Sequence, residues 1–223
     1  AESWHSPSRG GSGATPSSTL RRASSSEITT RTVAGQDCGV ANFSPFPQAP
    51  LHLSWSTADG GDCTLEVRFE NEGWTAQGSL GTDDAQFVVR LSATLVVQQF
   101  MLFRDMDEPD LWLGRDKSGR WGEINGAHRP DLDGCTDLEL RMNPFPTSVT
   151  MKRLPLHDMH AASITVASVD VETLEIAPRQ RTFTRLSAQR WRYSSPFHGR
   201  EVESTLDEHG IIVDEHDAFT RRP

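Results

Sequence analysis

From Leu51 onward the chain alternates apolar and polar positions with a period of two. Leu65, Val67 and Phe69 stand between Glu66, Arg68 and Glu70, which predicts a strand with one buried face. Asn71-Glu72-Gly73 supplies turn chemistry, and Trp74 to Gln77 returns as the partner strand. Phe87 to Phe103 is long, apolar and rich in β-branched residues. With no helix-start signal, it predicts two strands with a break near Gln98-Gln99. Arg115 to Trp121 reads as a hairpin turn with a strand on each side. Leu138, Leu140 and Met142 alternate with Asp137, Glu139 and Arg141. Ile164 and Val166 share one parity and Val169 and Val171 the other, so a β-bulge or bend is expected at Ala167-Ser168. Val202, Ser204 and Leu206 lead into an Asp207–Gly210 turn and then Ile211 to Val213. No window of a dozen residues carries an i, i+3, i+4, i+7 stripe. The expectation is an all-β, mostly antiparallel sheet, strongly curved or closed, with few or no long helices.

Ahead of Leu51 the pattern stops. Ala1 to about Thr32 is rich in Ser, Gly, Thr, Pro and Arg and shows no periodicity. Such a stretch buries too little apolar surface to offset its ordering entropy. Val33 to Pro50 is transitional, and Phe43-Ser44-Pro45-Phe46-Pro47 reads as a Pro-stiffened linker, loose rather than docked. The division expected is a disordered tail and linker over 1–50 and one β domain over 51–223. The hydrophobic share of 35% fits a chain of which part does not pack. A domain of about 170 residues is large enough to bury a real core.

The formal net charge is -9. The first fifty residues hold Arg9, Arg21, Arg22 and Arg31 against Glu2, Glu27 and Asp37, so the acidity belongs to the β domain. That argues against nucleic acid, which needs clustered Lys and Arg. It argues equally against adhesion to anionic lipid surfaces. No apolar run approaches the roughly 18 residues of a membrane span. The polar start carries no signal-peptide pattern, which leans cytoplasmic, although the chain lacks an initiating Met. Cys38, Cys63 and Cys135 form neither a disulfide framework nor a zinc pattern. Buried free thiols are expected, with a Cys63–Cys135 bridge as the alternative.

Catalytic signatures are absent: no G-x-S-x-G, P-loop, G-x-G-x-x-G or H-E-x-x-H occurs. His157 and His160 sit three apart, but in a segment read as an exposed loop after Pro155. The acidic, His-bearing stretches at Glu208-His209 and Asp214–Asp217 read as solvated faces rather than a metal site. No metal and no cofactor are expected. Six Trp against one Tyr is a notable excess, and indoles suit both cores and sugar-facing sites.

Four segments together resemble the bacterial putative glycolipid-binding family, a former domain of unknown function, from about Leu53 to Arg221. Asp116 to Trp121 resembles its Asp-x-x-Gly-x-Trp hairpin. Leu132 to Leu140 is similar to its Leu-x-Gly-Cys-x-Asp-Leu-Asp-Leu strand. Asn143 to Leu154 looks like its Thr-Pro-x-Thr-Asn-x-Leu-Pro-Ile-Arg-Arg-Leu segment, and Asp207 to Asp214 like its closing Asp-x-x-Gly-Leu-Val-x-Asp. The chain departs from the pattern where Thr147 stands for Asn, Thr150 for Pro, Cys63 for an early Glu and Glu215-His216 for Tyr-Pro. Of the Gln-x-Tyr near Gln180 to Phe183, only the aromatic is kept.

The resemblance implies a curved β-roll or half-open barrel, similar in shape to periplasmic lipoprotein carriers. It also implies non-catalytic binding of a glycolipid or lipid in an apolar trough. Candidate ligand-binding residues at the rim are Trp55, Trp121, Asp137 and Arg153, with a structural Asp137–Arg153 pair as the competing reading. The alternatives are a carbohydrate-binding β module and a hydrolase acting on glycoconjugates.

Overall fold

A computed structural model describes residues 43–81, 85–104, 108–194 and 199–223. The tail expected over 1–42, and Cys38 with it, lies outside these. Among the described residues β1 (Leu51–Thr57), β2 (Asp62–Glu70), β3 (Gly73–Ser79), β4 (Gln86–Ser92), β5 (Val97–Phe103), β6 (Leu111–Arg115) and β7 (Trp121–Gly122) form an antiparallel meander. Then come β8 (Asp137–Leu140) and the helix α1 (Phe145–Arg153). A second series closes the chain: β9 (Ala161–Val169), β10 (Ile176–Arg185), β11 (Arg190–Ser194), β12 (Glu201–Leu206), β13 (Ile212–Glu215) and β14 (Phe219–Arg221). All fourteen strands belong to one open sheet, ordered β7-β6-β5-β4-β3-β2-β1-β14-β13-β12-β11-β10-β9-β8. Only the β8–β9 pair is parallel.

This order forces curvature. Strands β7 and β8 are consecutive in sequence yet sit at opposite edges. Laid flat, fourteen strands at ~4.8 Å spacing would separate those edges by about 60 Å. The connection Glu123–Thr136 could span at most about 50 Å even fully extended. Part of it is instead a 3-10 turn at Pro130–Leu132, so the two edges come closer still. Side chains join them: Trp121 Nε1 donates to the Cys135 carbonyl at 3.0 Å, and Arg115 Nη1 to that of Thr136 at 3.2 Å.

The curled sheet and α1 enclose two apolar clusters. The larger holds Trp55, Leu65, Val67, Phe87, Phe100, Leu113 and Trp121 from the first meander, with Leu138, Leu140, Phe145 and Val149. The smaller gathers Met151, Phe183, Trp191, Tyr193, Val202 and Ile212. Helix α1 feeds both, and every residue from Phe145 to Met151 is buried. It therefore has no polar face to alternate with an apolar one. Its buried hydroxyls turn onto its own backbone: Ser148 Oγ donates to the Pro144 carbonyl at 2.9 Å and Thr150 Oγ1 to that of Pro146 at 3.1 Å.

Three local expectations change. The break between β4 and β5 falls at 93–96, where Leu95 adopts φ +63°, and Gln98-Gln99 lie inside β5. Ser92 Oγ holds this turn by accepting from the Val96 amide at 3.1 Å. Strand β9 carries no bulge; its register with β10 is unbroken from Ala161↔Thr184 to Val169↔Ile176. Its apolar residues change parity because Ala162 and Ile164 face the smaller cluster while Ala167 and Val169 face the larger. Third, Phe43–Pro47 is docked rather than loose. Phe46 is 4% exposed and meets Trp74 edge-on at 5.2 Å. Ser44 N donates to the Glu208 carbonyl, and Lys152 Nζ donates to the carbonyls of Ser44 and His209. Linker composition gave no sign of these long-range partners.

Cys63 and Cys135 are both free and buried. Burial pushes their thiols up, to about 12 and about 11 respectively, which leaves them unreactive.

Two predictions follow from the docked strap. Phe46→Ala should cost about 3–5 kcal/mol in urea denaturation; an unchanged midpoint would show that the strap adds nothing to the fold. Burial lowers the Lys152 ammonium to about 8, against an opposing pull from Asp207. Between roughly pH 8 and 10.5 the unfolded chain keeps a proton that the folded chain has released. Wild type should therefore gain stability relative to Lys152→Met across that window, read from denaturation midpoints at its two ends.

Candidate functional site

The four residues singled out from the sequence do not meet at one opening. Trp55 is fully buried, its Nε1 donating to the Ile212 carbonyl at 2.8 Å, with the Arg221 guanidinium 5.6 Å from its ring centroid. Trp121 is equally buried and spends its indole N–H on Cys135. Both indoles are rivets between distant parts of the sheet, not rim residues. Asp137 on β8 and Arg153 at the end of α1 form an ion pair with each other. A second pair lies two residues along β8, where Glu139 receives Arg181 through both oxygens at 2.7 and 2.8 Å.

The apolar side of the sheet is filled by its own side chains, with Trp55, Phe87, Phe100 and Phe145 all at 0% exposure. A large open space among the described residues is on the other side. A groove of about 1180 Å³ crosses β1 to β5, with Arg104 at one end and Arg222 and Pro223 at the other. The register of the strands sets out the outward residues in rows. One row runs His52, Glu66, Gln77 and Val88 along the groove floor and continues past it to Met101 and Trp112. The next runs Ser54, Thr64, Ser79, Gln86, Phe103.

Each row changes character along its length. Over β1 to β3 it presents an imidazole, a carboxylate, an amide and hydroxyls. Gln77 Nε2 donates to Glu66 at 3.3 Å, and the hydroxyls of Thr64 and Ser79 share a hydrogen bond at 2.9 Å. Toward β4 and β5 the rows turn apolar at Val88, Met101 and Phe103, all half-buried, while Gln86 keeps one polar group in the second row. Such a contiguous apolar patch on a solvent-facing side is uncommon and points to a bound partner or ligand. Gly78 lies between Leu65 and Phe87 on the enclosed-side parity of β3. A Cβ on Gly78 would fall 1.9 Å from the Thr64 carbonyl oxygen, so β2 and β3 approach there as only glycine permits.

The arginines at the groove ends are held in place. Arg222 donates to Ser56 Oγ at 2.8 Å and pairs with Asp62. Arg104 Nη2 reaches Asp110 Oδ1 at 3.2 Å. Among the described residues no group of three or more His, Cys, Asp or Glu is placed to hold a metal ion. No helix among them is long and apolar enough to cross a membrane.

The sequence from residue 52 to 221 matches the family described as "Putative glycolipid-binding". The chain belongs to that family. Its fold is also that of a DUF1089 family protein from Pseudomonas aeruginosa, solved by crystallography. The two superpose with a TM-score of 0.58 at 19% identity, over 87% of this chain and all of the other. No curated protein matches the sequence. Most of the groove's lining falls inside the matched span, with Arg222 and Pro223 just beyond it.

The Asp137–Arg153 pair yields a prediction that separates its two readings. Asp137→Ala leaves a half-covered guanidinium without its partner, and a loss of about 1–3 kcal/mol is expected. Arg153→Ala should cost a similar amount, and the double variant less than the two together. Additive losses in a denaturation cycle would remove the structural role.

Proposed function

We propose that this chain binds a glycolipid non-covalently, without catalysis, along the outward face of β1 to β5. The observation that carries the reading is the change from polar to apolar along the cross-strand rows. A glycolipid has the same polarity profile: hydroxyls that both donate and accept at one end, methylenes at the other. The hydroxyl, amide and carboxylate groups of Ser54, Thr64, Glu66, Gln77 and Ser79 suit the sugar. Val88 and Phe103 in the groove, with Met101 beside Val88 on the next strand, suit the first part of the acyl chain, each buried CH₂ contributing about 0.8 kcal/mol. The groove exceeds the usual small-molecule range of about 300–1,000 Å³, as a headgroup with part of its tail requires.

The trough imagined on the apolar side of the sheet is replaced in this reading by a groove on the opposite side. The family description supports the ligand class, and the row pattern supports the place.

Dodecyl β-glucoside, kept below its micellar concentration, is a suitable probe. Titration should shift the Met101 and Val88 methyl resonances saturably, and Met101→Glu should weaken binding at least about tenfold through loss of apolar contact. Equal affinity in wild type and Met101→Glu, or shifts confined to other methyls, would overturn the reading.

A further inference from the structure

A separate depression lies on the same outward face, at the β6–β7 edge. Gln99, Gly114 and Gly122 are opposite one another on β5, β6 and β7. Two adjacent strands thus lack a side chain in the same row, and other groups close over them: the Trp112 ring over Gly114 and, 3.1 Å from where a Gly122 Cβ would stand, the Ala127 carbonyl oxygen. The indole of Trp112 lies along one side. A Cβ on Gly114 would fall 2.5 Å from its Cη2, so the ring occupies the space that only a glycine leaves. The hairpin turn at Asp116–Arg120 and the turn at Glu123–His128 rise on the other sides. The depression they border is open to solvent and has a volume of about 400 Å³.

The groups facing this space are a flat ring and a polar rim. Trp112 is half-buried, with part of its ring open to solvent. Its indole N–H and the Gln99 carboxamide make no hydrogen bond within the described residues, so both remain available to a ligand. Glu123 and His128 stand at the rim, turned partly toward Arg129 at 3.5 Å and Asp133 at 2.9 Å. An open indole face with a donor, an amide that donates and accepts, and a carboxylate suits a pyranose. The ring's C–H face covers the indole while its equatorial hydroxyls reach the rim.

We infer that Trp112, Gln99 and the depression beside Gly114 and Gly122 form a saccharide-binding site distinct from the large groove. It is a site for a sugar ring without an acyl chain, as on a soluble glycan or the outer sugar of a longer headgroup. The inference stands on the depression and the indole, not on the reading given for the groove.

The test uses the whole chain labelled with ¹⁵N and titrated with the methyl glycosides of glucose, galactose and mannose. The Trp112 indole N–H resonance is assigned by its loss in Trp112→Phe. At least one glycoside should shift that resonance saturably. Gly114→Ala, which displaces the indole, should weaken the response about tenfold or more. The Met101 methyl response to dodecyl β-glucoside should remain, which keeps this site's outcome apart from that of the groove. Gln99→Ala, an outward-facing change that spares the fold, should also weaken glycoside binding at an unchanged melting temperature, and it decides the matter alone if Gly114→Ala does not fold. No shift with any glycoside, undiminished affinity in the variants, or an equal response to adenosine would each overturn the inference.

Discussion

The short link between the two edge strands is the constraint on which the rest depends. The segment Glu123–Thr136 has to join strands at opposite ends of a fourteen-strand sheet, and it is too short to do so unless the sheet curls. At the other edge β8 lies alongside β9 in a parallel pairing whose crossover is α1, with the Thr136 amide donating to the Thr165 carbonyl at 2.9 Å. The two meanders meet in the middle at β1 and β14, where Arg222 N donates to the Ser54 carbonyl. A single ladder thus runs through the molecule while its ends are fastened by side chains such as Trp121 and Arg115.

Curvature then assigns the two sides of the sheet different tasks. The enclosed side must be filled, because an apolar void forfeits dispersion contacts and transfer energy. Aromatic side chains fill it, with α1 inserted between the two clusters. The outward side of the first meander escapes this demand. It keeps polar residues over three strands and, beyond them, a patch of Val88, Met101 and Phe103 beside Gln86 and Gln99, an apolar patch that core packing does not need. Both candidate ligand surfaces lie there, and in one of them Gly114 makes room for an indole.

The strands after Leu51 were legible because half-buried strands alternate, as Leu65, Val67 and Phe69 do. Helix α1 was not legible. An element buried all round leaves no stripe, and Thr147, Ser148 and Thr150 make it look polar. The apparent bulge in β9 has the same cause, two covered faces in place of one. For the candidate site the difficulty ran the other way. Trp55 and Trp121 looked like sugar-facing indoles, because a sequence cannot distinguish an indole N–H aimed at a ligand from one aimed at a carbonyl 157 residues away. Gln77, Val88 and Met101 are ordinary solvent-side residues in isolation. They form a surface only when β3, β4 and β5 are placed in register.

The family and the strand content were thus set by features local in sequence: motif order, turn residues and period-two alternation. These depend on near neighbours and survive without knowledge of the fold. Tertiary structure alone decided which strands are neighbours, which side of the sheet is enclosed, and that Phe46 is core. Those outcomes depend on contacts between residues far apart in the chain, set by the reach of one connection and the need to fill the space it encloses.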